Sequence, residues 1–138
     1  MKLWKKVVLS LSVLIISVPV GLIGLFFYAT SDMCGNYIHK EYLSPNNQYK
    51  AIVFQRDCGA TTGFSTQVSI IRANDKLENE SGDVFIIPGH PEKVAPDLDW
   101  ANENELLIYQ ALNGSEYKAE TKWGWFDSIK VTYSDSSS

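Results

Sequence analysis

The sequence predicts an all-β domain behind one N-terminal transmembrane helix. Three observations predict it. Residues 7–29 form an uncharged run of 23, preceded by Lys2, Lys5 and Lys6. The remainder is broken by Gly, Pro, Asn and Ser turn signals, with segments rich in Val, Ile, Thr and aromatics between them. No window after residue 32 carries a 3.6-residue apolar period. About seven short antiparallel strands are expected, as a meander, sandwich or half-barrel. The expected organisation is a cytoplasmic tail at 1–6, a transmembrane helix at 7–29, an extracytoplasmic β-domain at 32–134 and a fraying tail at 135–138.

As a helix, residues 7–29 would span about 34 Å at 1.5 Å per residue, enough for a bilayer core of about 30 Å. Pro19, Gly21 and Gly24 weaken a soluble helix but are tolerated in lipid. Trp4 and the Phe27-Tyr28 pair sit near the two ends of the run, where amphipathic rings prefer the headgroup level. The lysines on the N-terminal side place Met1 in the cytoplasm and the bulk of the chain outside it. A cleaved signal peptide is the alternative, with Ala29, Thr30 and Ser31 as small residues before Asp32, although its apolar stretch is usually shorter. Lipid attachment at Cys34 is disfavoured by the charge and bulk of Asp32 and Met33.

All sixteen acids lie at Asp32 or beyond, against nine bases there, a formal −7 for that part. Such a balance excludes a nucleic-acid binder, which needs basic stripes, and peripheral binding to anionic lipid.

The strands follow in order. Residues 37–43 alternate without a clean face, and Ser44-Pro45-Asn46-Asn47 is a turn signal. Residues 49–55 have the apolar centre of a buried strand, and in residues 66–72 Val68 and Ile70 share a face. Residues 74–82 are polar and read as a surface loop. Residues 83–88 form a strand stopped by Pro88-Gly89. Leu98 and Trp100 precede a second polar turn, and residues 105–110 form the next strand. Asn113-Gly114 marks a tight turn, 115–122 a weaker strand, and 126–133 the last, with Ile129, Val131 and Tyr133 on one face.

An internal echo links residues 44–53 with 100–109: each is a polar turn followed by an apolar strand. Both resemble the blade signature of TolB-like β-propellers. At most two such units fit, so the resemblance implies β-hairpins rather than a propeller. The stretch Arg56-Asp57-Cys58-Gly59-Ala60-Thr61-Thr62-Gly63-Phe64 is the most distinctive. With Ser44-Pro45, the following strand and the N-terminal run, it resembles small bacterial membrane-anchored envelope proteins that carry Asp-Cys-Gly-Ala-Thr-Thr after a Ser-Pro-initiated strand. The resemblance covers about residues 34–72. It implies a bacterial plasma-membrane location and a fold class, and carries no activity.

Read from its residues, that stretch has three meanings. In the structural one, Cys58 pairs with Cys34, the only other cysteine, with a Cα separation of about 4.4–6.8 Å. Gly59 and Gly63 then allow a sharp turn satisfied by the Thr61 and Thr62 hydroxyls. In the second, Arg56, Asp57, Gly59, Thr61, Thr62 and Gly63 form a binding loop. In the third, Cys58 is a nucleophile with His39 or His90 as its base.

Other signals are weaker. Ser115-Glu116-Tyr117-Lys118 matches a Ser-x-x-Lys pattern without its partner motifs. Asp97, Asp99, Asn102, Glu103 and Glu105 offer oxygen ligands for Ca²⁺ at a spacing that fits no EF-hand. Trp123, Trp125 and Phe126 are either a sugar-stacking platform or a mixture of core and edge residues. Asn79 and Asn113 begin glycosylation sequons that matter only in a eukaryote.

The expected function is therefore a membrane-tethered extracytoplasmic β-domain that binds a protein or envelope component without catalysis, for example an immunity-type inhibitor of an incoming basic protein. The alternatives are an enzyme with a loop-built site around Asp57, Thr61, Thr62 and His90, or a small-ligand or Ca²⁺ domain at residues 97–105. No cofactor is implied.

Overall fold

The structure is a computed structural model and describes residues 1–31, 34–59 and 63–135. It divides into two units, Met1–Met33 and Cys34–Ser138.

The first unit is helix α1, Lys2–Ser31. Its segment Lys2–Ala29 is long and apolar enough to cross a membrane, and none of the apolar side chains along it is buried by protein. The Ser12 hydroxyl donates to the Val8 carbonyl and Ser17 to Leu14, so these two polar side chains are satisfied within the helix.

Among the described residues, the second unit is an all-β sandwich of nine strands in two sheets. The first sheet has the order β1-β2-β3-β4-β7, from β1 (Gly35–Leu43), β2 (Tyr49–Asp57), β3 (Phe64–Arg72), β4 (Phe85–Pro88) and β7 (Lys118–Ala119), all antiparallel. The second has the order β5-β6-β9-β8, from β5 (Asp97–Asn102), β6 (Glu105–Tyr109), β8 (Lys122–Trp123) and β9 (Ile129–Tyr133). A one-turn helix α2 (Pro91–Val94) lies between β4 and β5.

The core lies between the sheets. Ala51, Val53, Val68, Ile70, Phe85 and Ile87 face Leu98, Leu106, Ile108, Ile129 and Val131. The shared faces of Val68 with Ile70 and of Ile129 with Val131 follow from the period-2 geometry of strands. Trp100 anchors the second sheet on the first, its Nε1 donating to the Tyr42 carbonyl at 2.9 Å.

One expectation gains its cause in the structure, and three features depart from what was expected. Residues 37–43 lack a clean face because the β1–β2 register shifts between Ile38 and Lys40, leaving His39 as an extra residue. The bulge brings Tyr37 and Tyr42, five apart, to the same side of the sheet, opposite Gln55 and Ala51. The β6–β9 pair is parallel rather than antiparallel. After β6 the chain adds β7 to the first sheet and returns through the β8–β9 hairpin, so β9 runs in the direction of β6. The single strand expected at 115–122 is split, since β7 belongs to one sheet and β8 to the other. Tyr133 Oη pins this crossing by donating to the Glu120 carbonyl at 2.7 Å. Burial, reinforced by the Glu120 and Glu116 charges, holds that phenol well above its ordinary pKa and keeps it a donor.

The polar loop at 73–84 also does more than run over the surface. Ile52 and Phe54 are fully buried on the face of β2 that points away from the sandwich core. The loop is pinned around them as a strap. Asn36 Nδ2 donates to the carbonyls of Glu78 and Glu80, Gly82 N donates to Gln67 Oε1, and Asp83 N donates to Ser69 Oγ. Gly82 is required by close approach, because a Cβ there would stand 2.9 Å from Gln67 Cβ and 3.0 Å from the Val68 carbonyl oxygen.

Candidate functional site

The Cys34–Cys58 disulfide is present. Gly35 pairs with Asp57, so Cys34 and Cys58 continue the register as the next opposed pair, and the bond closes the open end of the β1–β2 hairpin. Their Cα atoms are 3.8 Å apart, closer than the expected window of about 4.4–6.8 Å. The bond consumes the Cys58 thiol.

The other residues of this stretch do not converge. Arg56 and Asp57 are successive strand residues and point to opposite faces. On the strap side, Arg56 Nη1 donates to Asn36 Oδ1 at 2.7 Å and to Asn79 Oδ1 at 3.2 Å. On the core side, Asp57 Oδ1 accepts from Gly59 N at 2.9 Å, an Asx-type turn. Gly59 and Gly63 have φ of 103° and 67°, the left-handed region that the sharp turn needs. Thr61 and Thr62 lie outside the described residues.

His90 sits at the same end of the sheet. Its ring lies 4.0 Å from that of Phe64, and its Nδ1 is 2.9 Å from Gln55 Oε1. His39 is the β1 bulge residue. The cavity at this end, about 340 Å³, is lined by Arg56, Cys58, Gly63, Ser65, Gln67 and Tyr117 among others, and its lining includes neither Asp57 nor a histidine.

The 97–105 segment forms the β5–β6 hairpin. Asp99 Oδ1 accepts from Trp100 N and Asn102 Oδ1 from Asn104 N, while Glu105 Oε2 accepts from Thr132 and lies 3.8 Å from Lys130 Nζ. Among the described residues no group of three or more His, Cys, Asp or Glu side chains is placed to hold a metal ion. Ser115 lies in a turn rather than a helix, with its N and Oγ both donating to Asn113 Oδ1. The Glu116 carboxylate accepts from the backbone N–H of Asn113 and of Gly114, which lowers its pKa.

The feature with the clearest chemical character is the β8–β9 turn. Trp123 at its base is half-buried, packed edge-to-face on Tyr49 with ring centroids 5.5 Å apart. Its Nε1 donates to Asp83 Oδ2 at 2.8 Å. Asp83 Oδ1 in turn accepts from Ile70 N, extending the β3 ladder beyond the end of β4. Desolvation pushes the Asp83 pKa up, against the lowering effect of its hydrogen bonds from Trp123 and Ile70. Gly124 has φ of 87°, so the chain reverses sharply at a position where a side chain is strained. Beyond it Trp125 and Phe126 are 94% and 98% exposed. The sequence marks all three aromatics but cannot sort them. Trp123 faces the first sheet, whereas the other two stand on a tip. An open groove of about 300 Å³ is lined by Tyr49, Arg72, Trp123, Trp125, Phe126 and Asp127.

The tip and the disulfide lie at opposite ends of β2. Tyr49 begins that strand and Asp57 ends it, about 26 Å apart at 3.3 Å per residue. The chain therefore enters the domain at one end and presents exposed aromatics at the other.

Compared with protein-family models, curated proteins and solved structures, the chain matches none.

Proposed function

We propose that this chain is a single-pass membrane protein whose β-sandwich lies outside the cytoplasm and binds a protein or envelope component without catalysing a reaction. One observation carries the binding role: Trp125 and Phe126 stand in solvent on a glycine turn whose base is fixed by Tyr49 and Asp83. Exposed large aromatics cost solubility, and covering them with a partner removes that apolar surface from water. The tether is supported by the length and apolar surface of α1, and the orientation by lysines on its N-terminal side only. A retained disulfide suits an oxidising compartment.

Two measurements test this reading. An alkaline phosphatase fused after Ser138 should be active in cells and a cytoplasmic reporter there silent; the reverse overturns the topology. A photo-crosslinking amino acid in place of Phe126 should form an adduct in intact cells that is absent when it replaces Glu103 on the β5–β6 turn. No adduct at 126 overturns the binding role. A mature chain beginning at Asp32 would select a cleaved signal peptide instead of the anchor.

A further inference from the structure

We infer that the groove at the β8–β9 turn binds a glycan chain, an inference that rests on the binding role proposed above and names the class of its ligand. A sugar ring is amphipathic. Its axial C–H groups form an apolar face that stacks on an aromatic ring, and its hydroxyls, both donors and acceptors, radiate around the edge. The groove offers the matching parts. Trp125 and Phe126 supply open ring faces, and Trp123 with Tyr49 forms a fixed aromatic floor. Arg72 and Asp127 line the same groove and bring a guanidinium and a carboxylate to it. Among the described residues neither engages in a hydrogen bond or ion pair, and neither does the Trp125 indole N–H. A donor fork and a carboxylate on one aromatic platform can give to and accept from neighbouring hydroxyls.

The charges decide between ligand classes. Arg72 and Asp127 cancel, so the groove carries no net charge with which to select an ion. The −7 of the surrounding chain repels nucleic acid and anionic lipid. Insertion into an acyl layer would strand the same two groups without partners, which is costly. The groove also lies at the end of β2 away from Cys34, where the chain enters the domain. At about 300 Å³ it sits at the lower limit of ligand pockets and is open, which suits a short stretch of a polymer passing across it.

The test uses the full chain in lipid nanodiscs, sedimented with insoluble peptidoglycan, chitin or cellulose. At least one polymer should pellet the wild type, and soluble peptidoglycan fragments, chitohexaose or cellohexaose, matched to that polymer, should compete. A double variant, Trp125→Ala with Phe126→Ala, should lose retention about tenfold or more with an unchanged melting temperature. Arg72→Ala should weaken retention with the aromatic rings intact. Retention by none of the three polymers overturns the inference, and so does retention that the double variant leaves intact. If no glycan is retained but the photo-crosslink at 126 captures a polypeptide, the glycan assignment falls and the binding role stands. If neither occurs, both fall.

Discussion

Arg56 on β2 donates to Asn36 on β1 at 2.7 Å, and the same Asn36 amide donates to the carbonyls of Glu78 and Glu80 at 3.0 and 2.7 Å. One cross-strand pair thus holds the strap that crosses the outer face of the first sheet. Arg56→Ala leaves Asn36 Oδ1 and Asn79 Oδ1 without their donor and should cost about 1–3 kcal/mol in urea unfolding. Asn36→Ala should cost a similar amount. The double variant should be less destabilised than the sum of the two, because the pair acts as one clamp. Strict additivity would show that the two residues hold the strap independently.

Gly82→Ala tests the strap from its other end. The new Cβ would meet Gln67 Cβ at 2.9 Å and the Val68 carbonyl at 3.0 Å, and the second of these is backbone that cannot step aside. A loss of about 1–3 kcal/mol is expected, the usual range for overpacking. Amide hydrogen exchange should rise at 73–84 and stay unchanged in β6 and β9. Uniform acceleration across the domain would instead make the strap part of the global unfolding unit.

The disulfide spans 24 residues in sequence, and closing a loop of that size should contribute about 3–4 kcal/mol by restricting the unfolded chain. Cys34→Ser and Cys58→Ser should therefore destabilise about equally, and the double variant no more than either single one. Thermal unfolding of the three variants checks this. A double variant that is additive would show that the two side chains act through packing rather than through the bond.

Asp83 gives a pH dependence of defined sign. Desolvation raises its folded-state pKa above the ordinary value of 3.8. Between 3.8 and the folded-state midpoint the folded protein therefore holds more of this proton than the unfolded chain does. Its contribution to stability is most favourable below that window and is lost as pH rises through it. Relative to Asp83→Asn, the wild type should thus lose stability as pH rises across the window. Carboxyl chemical shifts should place the wild-type midpoint above 3.8, and Trp123→Phe, which removes a hydrogen bond to the carboxylate, should move it higher. A midpoint at or below 3.8 would contradict the assignment.

The sequence by itself determined what depends on neighbours along the chain. The uncharged run at 7–29 is helical because its backbone bonds are all internal to the segment. The shared faces of Val68 with Ile70 in β3 and of Ile129, Val131 and Tyr133 in β9 follow from alternation. The echo between residues 44–53 and 100–109 has a local cause: Asn46 Oδ1 accepts from Gln48 N, and its counterpart Asn102 accepts from Asn104 N. The disulfide was legible because only two cysteines exist. Tertiary structure alone decided the rest. The His39 bulge exists only against β2, and the parallel β6–β9 pair only because the chain leaves for the other sheet and returns. Polar residues at 74–82 look like any solvated loop until Asn36, Arg56 and Gln67 bring them over Ile52 and Phe54. The Trp123, Trp125 and Phe126 cluster was visible, but its division was not. Burial depends on what lies opposite, and for Trp123 that is Tyr49 and Asp83, 74 and 40 residues earlier in the chain, brought there by the packing of the two sheets.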